Sequence, residues 1–328
     1  MFERLRDRKC WTNLIILIME LEYGRQVELG EVKGKIIDLF IFACNHEKRI
    51  LCAHKYISET NSILKTIALC YKPIPKKCIK GITYSQIQNH VEIYEILDSQ
   101  FAGYANKEVN IVVDYSCMTK SWYYSIILYL TKRNLLLSKV NAFFIYTPSK
   151  YSAPQKPKHN TEIAPLPGKY VVPTNKPKAL IVCLGYEQNK AEGIIDHLDP
   201  KICYVFYTEP ALDPKFVATV KANNKNILQH YNNVITYKFD DMLYLERQLT
   251  SLYYLLREDY SIIIAPLGPK PFTFISMLLS VKFPDIDIWR VGSGSDINEY
   301  LREPLNSQTF VINEVVFNNF TLNDGVQD

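Results

Sequence analysis

Residues 178–295 alternate short, uninterrupted apolar runs with amphipathic ones, and this alternation restricts the fold more than any other feature of the chain. Ala179 to Leu184, Ile202 to Tyr207, Val234 to Tyr237, Ser261 to Ala265 and Ile286 to Val291 read as buried strands. Between them, Lys190 to His197, a segment opened by Asp213-Pro214 and running to Asn224, Asp241 to Arg257, and Phe272 to Val281 read as helices. Leu243, Leu245, Leu249, Leu252 and Leu256 form the expected apolar face of the longest one. A strand that is apolar along its whole length is buried on both faces, and an intervening helix makes neighbouring strands parallel. The expected class is therefore α/β, with mostly parallel sheets covered by helices.

The first half repeats the pattern less cleanly. Ile36 to Cys44 reads as a strand, Lys48 to Tyr56 as a helix, and Ile63 to Tyr71 as an apolar segment of either type. Tyr84 to Phe101 reads as a helix, Val109 to Asp114 as a strand, Ser121 to Leu130 as a helix and Val140 to Tyr146 as a strand. Two short motifs recur. Cys44-Asn-His-Glu47 aligns with Leu184-Gly-Tyr-Glu187, and Asp114-Tyr-Ser-Cys-Met-Thr-Lys120 aligns with Ala265-Pro-Leu-Gly-Pro-Lys270. The expected architecture is two tandem Rossmann-like units, 34–148 and 178–295. An N-terminal segment 1–33 and a C-terminal segment 296–328 flank them, and the lysine- and proline-rich stretch 149–177 reads as a linker or arm.

With 38 Lys+Arg against 34 Asp+Glu, the net charge of +4 suits a nucleotide or phosphate ligand and does not call for duplex DNA. Met1 to Lys9 is charged, which does not fit a signal peptide, and the apolar run Leu14 to Met19 is too short to span a bilayer. The chain is thus expected to be cytoplasmic, without a membrane partner. Most cysteines sit in apolar runs, so no disulfide is expected, and the Asn319-Phe-Thr321 sequon carries no information.

In open parallel sheets, ligands sit beyond the carboxyl ends of the strands, where helix N-termini favour anions. Both repeated motifs fall at such ends. The candidate ligand-binding residues are Glu47, Ser116, Thr119 and Lys120 in the first half and Gly185, Glu187, Gly268 and Lys270 in the second. A lysine at a helix start opposes the macrodipole, so lysines at two equivalent starts point to an anionic ligand; the alternative is a pair of solvated cap residues. Gly268 suits a tight turn and close approach to a phosphate. The repeat predicts Glu47 with Lys120 in one cleft and Glu187 with Lys270 in an equivalent one.

No Walker loop or G-x-G-x-x-G fingerprint is present, and Gly292-Ser-Gly-Ser-Asp296 is only a turn after a strand, so no cofactor is expected. Cys44, His46, Cys52 and His54 have a zinc-like composition but not a shared face, and no metal is expected. Cys117 beside Asp114 and Ser116 has no assignable histidine to activate it. If the protein is an enzyme, Glu187 and Asp114 are the acid/base candidates. The clusters Tyr123, Tyr124, Tyr129 and Tyr253, Tyr254 read as packing.

The strand–loop–helix segment Asp114-Tyr-Ser-Cys-Met-Thr-Lys120 resembles the Asp-x-Thr-Gly-Gly-Thr-Lys motif of the CRISPR-associated Rossmann fold (CARF) sensor family, and Ala265-Pro-Leu-Gly-Pro-Lys-Pro271 is similar. Cys117-Met118 replaces the glycine pair in the first copy, and Ala265 stands at the acidic position of the second. The resemblance implies binding of cyclic or linear oligoadenylates, usually across a dimer, and relay of that binding to an effector. Three functions follow as expectations. One is a nucleotide or oligonucleotide sensor or effector subunit in prokaryotic antiviral defence, alone, as a homodimer or with a protein partner. The second is an enzyme hydrolysing or transferring a group on a nucleotide-like substrate. The third is a non-catalytic interaction subunit whose Rossmann halves serve as scaffold.

Overall fold

The structure, a computed structural model, describes residues 17–321 except 72, 76–77, 106, 133–135, 295–300 and 307. Met1 to Lys9, Leu14 to Ile16 and the Ser295-Asp296 end of the Gly/Ser turn lie outside the described residues.

The chain runs β1 (Leu17–Val27), α1 (Leu29–Val32), β2 (Ile36–Ile37), β3 (Leu39–Cys44), α2 (Cys52–Thr60), β4 (Ser62–Ile63), β5 (Thr66–Cys70), β6 (Ile82–Gln86), α3 (Glu92–Phe101), β7 (Glu108–Asp114), α4 (Lys120–Lys132) and β8 (Lys139–Tyr146). After β9 (Glu162–Pro165) come β10 (Lys178–Cys183), α5 (Lys190–Leu198), β11 (Ile202–Thr208), α6 (Pro214–Asn223), α7 (Lys225–His230), β12 (Val234–Tyr237), α8 (Met242–Leu256), β13 (Ser261–Pro266), α9 (Lys270–Lys282), β14 (Asp287–Gly292) and β15 (Val311–Thr321).

Two large sheets result, and the protein is α/β with two Rossmann-like units. The first has the order β1-β15-β8-β7-β3-β5-β6 and the second β12-β11-β10-β13-β14-β9. Reading the first backwards as β6-β5-β3-β7-β8-β15 matches the second strand for strand, including the final antiparallel neighbour. All other pairs in this common set are parallel. In each unit the strand order reverses between the first strand and the one after the third, β3/β7 and β10/β13. Crevices open at such switch points.

The units are not simple consecutive segments. β15 lies between β1 and β8, so both flanking segments complete the first sheet. The proline-rich stretch supplies β9, which pairs antiparallel with β14 of the second sheet.

Several elements correct the reading of the first half. Tyr84 to Phe101 is not one helix. Ile82–Gln86 pairs with β5 as a strand, and α3 starts only after Asn89 Oδ1 accepts from Val91 N and Glu92 from Gln88 N. The helix read at Lys48 starts at Cys52, because 45–50 turns inward, with Asn45 Oδ1 accepting from Glu47 N. Thr66–Cys70 is a fully buried strand, and Ile36–Ile37 leaves the main sheet to pair with Ser62–Ile63. In the second half, α8 buries Leu245, Leu249, Leu252 and Leu256, but Leu243 lies off this stripe and is exposed. Asp213, with Pro214 at the first turn, caps α6 through Lys215 N as its sequence predicts.

α4 and α9 carry apolar residues all round, and a helix of that kind is buried on every side. Residues 122–131 of α4 and 271–280 of α9 are all buried. The two helices pack together, with a Tyr124 Oη···Ser280 Oγ hydrogen bond of 3.0 Å, and Phe274 of α9 stacks on Tyr115 of the first unit at 5.3 Å. One hydrophobic core therefore runs through both units. Tyr123, Tyr124, Tyr129 and Tyr253 are buried in it, whereas Tyr254 is exposed. No helix among the described residues is long and apolar enough to cross a membrane.

Candidate functional site

The packing of α4 on α9 brings the two repeated loops face to face, and each lysine crosses to the other unit. Lys120, opening α4, donates to Pro266 O at 2.6 Å. Lys270, opening α9, donates to Tyr115 O at 3.1 Å, Ser116 O at 2.7 Å and Met118 O at 2.6 Å. Lys120 feels the charge of Glu187 and Lys270 that of Glu47, so of the predicted pairs only Glu187 and Lys270 line one cavity, which Lys120 shares. Neither lysine is a solvated cap. Burial, with repulsion from Lys190, pushes Lys120 down to about 8, and burial with repulsion from Arg49 pushes Lys270 down to about 7.

A cavity of 290 Å³ opens at the β10/β13 switch point. Gly185, Glu187, Gly268, Lys120 and Lys270 line it, joined by Lys190 and Arg302. Among the described residues, four cationic side chains and one carboxylate face this space. Glu187 forms an ion pair with Lys190, and Arg302 approaches Tyr186 Oη at 3.4 Å. Tyr186, Phe216, Tyr146 and Phe239 also line it, with Tyr186 beside Arg302. The lining suits a ligand that carries both an anionic group and a flat or apolar one.

Arg302 arrives on a strap that crosses between the units. Its carbonyl accepts from Lys48 N at 3.2 Å, Pro304 bridges to Ser149, and Glu303 pairs with Lys48 and Lys150.

The two glycines act differently from the expectation. Gly268 has no left-handed backbone; a Cβ there would lie 2.4 Å from Cys183 Sγ and 2.9 Å from Leu184 O. A Cβ on Gly185 would lie 2.4 Å from Leu267 O. The loops after β10 and β13 touch so closely that neither has room for a side chain, and the glycines hold the crevice floor together. Gly268→Ala is expected to lower stability by about 1–3 kcal/mol in urea unfolding, since backbone must shift to accept the methyl. A change within about 0.5 kcal/mol would show that the loops are slack.

The equivalent crevice of the first unit is filled by the chain itself. Arg49, only 1% exposed, donates from Nε to Glu47 at 2.6 Å, and from its two other nitrogens to Thr147 O at 2.7 Å and Ser116 O at 2.9 Å. Burial alone would raise Glu47, but the charge and hydrogen bond of Arg49 more than offset it and hold the carboxyl below its ordinary range. Asp114, also buried, accepts from Ser116 N at 2.9 Å; desolvation raises it to about 6. Ser116 Oγ accepts from Thr147 N at 2.7 Å, and Thr119 N donates to Tyr71 Oη at 2.6 Å. Glu47, Asp114, Ser116 and Thr119 therefore lie away from the cavity, in the interior of the first crevice.

Asp114 and Glu187 belong to different crevices. Cys117 is buried and pushed up to about 12 by desolvation, so its thiol is not activated. His54 packs edge-on against Phe40 at 5.1 Å, and no metal-binding group of His, Cys, Asp or Glu occurs among the described residues. The seven described cysteines are free thiols.

Arg49, Lys190 and Arg302 are site residues that the motif reading missed. Lys190 could have been found three residues beyond Glu187 at the start of its helix. Arg302 carries no local signal, because the strap brings it from far along the chain. No family model matches the chain, and no curated protein matches it.

Proposed function

We propose that the protein binds a nucleotide or oligonucleotide in the cavity of its second unit. The observation that carries this reading is the cavity's lining: Lys120, Lys190, Lys270 and Arg302 against a single carboxylate, together with four aromatic rings, at a switch-point crevice. Phosphate meets Lys120, Lys190 and Arg302, the base packs on the rings, and Glu187 takes a ribose or base donor. Together with the motif resemblance, this makes the protein a ligand sensor or effector subunit of cytoplasmic antiviral defence in prokaryotes. The enzyme alternative rests on Glu187 alone, since Asp114 sits in the other crevice.

Calorimetric titration with AMP tests the reading. Affinity should fall roughly tenfold between pH 7 and pH 9, because Lys120, at about 8 without ligand, must be charged to meet phosphate. The sign is fixed by linkage: a group whose pKa rises on binding takes up a proton, so binding weakens as pH climbs past its free value. Proton uptake at pH 8, read from buffers of different ionisation heat, should accompany binding. Absence of binding at pH 7, or affinity that grows with pH, would sink the proposal. Conversion of the nucleotide, lost in Glu187→Gln, would favour the enzyme.

A further inference from the structure

We infer that the ligand is a single nucleotide-sized phosphate ester, bound once per chain, because the first unit carries a built-in occupant where the second carries a cavity. The inference rests on the nucleotide-binding reading and narrows it. Two crevices with the same strand order should provide two sites, or one site shared symmetrically between them. Among the described residues a cavity opens at the second crevice, whereas Glu47, Asp114 and Ser116 of the first are buried.

In the first unit, Arg49 sits two residues past Glu47 and turns inward, placing its guanidinium against Glu47, Ser116 O and Thr147 O. Lys270 adds an ammonium on the carbonyls of Tyr115, Ser116 and Met118. The carboxylate and loop carbonyls a ligand would meet there are already bonded within the chain, and Glu47 is 7% exposed, Asp114 2% and Ser116 0%. The Arg49 guanidinium and the Lys270 ammonium thus take the carboxylate and the loop carbonyls that a ligand would otherwise meet.

At the same spacing past Glu187 the second unit has Asn189, not arginine. Its backbone is left-handed, with φ 67°, and its carbonyl accepts from Gly193 N at 3.0 Å and Asn160 Nδ2 at 3.1 Å. No long cation follows Glu187 into the crevice from that position, and this is the side where the cavity opens.

The size of the space sets the ligand class. At 290 Å³ it lies at the foot of the ~300–1,000 Å³ range of small-molecule pockets. A base, a sugar and a phosphate group match that volume and its mixed lining of aromatic and cationic side chains. A ring of several nucleotides would need several such volumes, and the first crevice, filled by Arg49, adds none.

Calorimetry on the full chain with three probes decides it: AMP, ATP and a cyclic tetra-adenylate. The expected result is one AMP or ATP per chain, at least tenfold weaker binding in Lys190→Ala with no residual second site, and at least hundredfold weaker binding of the cyclic probe. Two nucleotides per chain, one per two chains, full-affinity binding at half stoichiometry in Lys190→Ala, or preference for the cyclic probe would each overturn the inference while leaving nucleotide binding intact. Failure of all three probes to bind would overturn the underlying reading, and the inference with it.

Discussion

Replacing Arg49 with alanine is expected to destabilise the fold by about 3–5 kcal/mol, the largest loss from any single substitution considered for the site. Its guanidinium is almost wholly buried and makes hydrogen bonds to Glu47, Ser116 O and Thr147 O, with the Tyr146 ring 5.5 Å from its centre. Without it Glu47 is a buried carboxylate lacking its counter-charge, Thr147 O loses its guanidinium donor, and Ser116 O is left with Lys270. Arg49→Lys should recover part of the loss, since it restores charge without the planar fork. Urea unfolding at pH 7 measures the difference. The pH dependence identifies the partner: Glu47 is held below its unfolded value, so its stabilisation is present above the ordinary carboxylate range and is lost as pH falls through the lower folded value. The gap between wild type and Arg49→Ala should therefore narrow in acid. A loss below about 1 kcal/mol would place Arg49 among ordinary surface cations.

Lys270→Ala should act on two properties at once, with a stability loss of about 2–3 kcal/mol and weaker nucleotide binding, because its stem lines the cavity while its ammonium holds the first unit's loop. A solvated lysine would affect binding alone. Here the ammonium ties the first unit's loop to the second unit's helix through three carbonyls, and those acceptors are left without it when the side chain goes. Lys270 titrates near 7 in the folded chain, against 10.5 when free. Between those values the unfolded state holds more protons, so stability contributed by this group rises with pH. Wild-type stability should climb from pH 7 to about pH 8.5, before thiols ionise, and the climb should be shallower in Lys270→Ala. A variant that binds nucleotide as well as wild type would remove Lys270 from the ligand site.

The alternation of apolar runs made the parallel core legible because strands such as Ala179 to Leu184 are buried on both faces and carry no polar residue to confuse the pattern. The flanking strands were not legible. β1 and β15 mix polar and apolar residues without a continuous apolar run, and their role depends on pairing with each other across nearly the whole chain. Motif alignment located Gly185, Glu187, Gly268, Lys120 and Lys270, all of which line the cavity. It could not show that the lysines cross over, since that depends on α4 lying against α9. Arg49 was invisible for another reason: a charged residue at the start of the helix read over Lys48 to Tyr56 is expected to face solvent, and only the inward fold of 45–50 buries it.

The interleaving of β15 between β1 and β8 has a consequence for synthesis on the ribosome. Leu17 faces Thr321 and Val27 faces Ile312, so the first sheet cannot close until almost all of the chain has emerged. The second sheet needs nothing beyond Gly292 and can assemble first. The N-terminal half is made early but matures late, and in the interval the edge of β8 is left without its partner, open to intermolecular pairing. Such long-range closure implies slow folding. Nascent chains stalled before Val311 should therefore be protease-resistant in their second half and dependent on chaperones in their first.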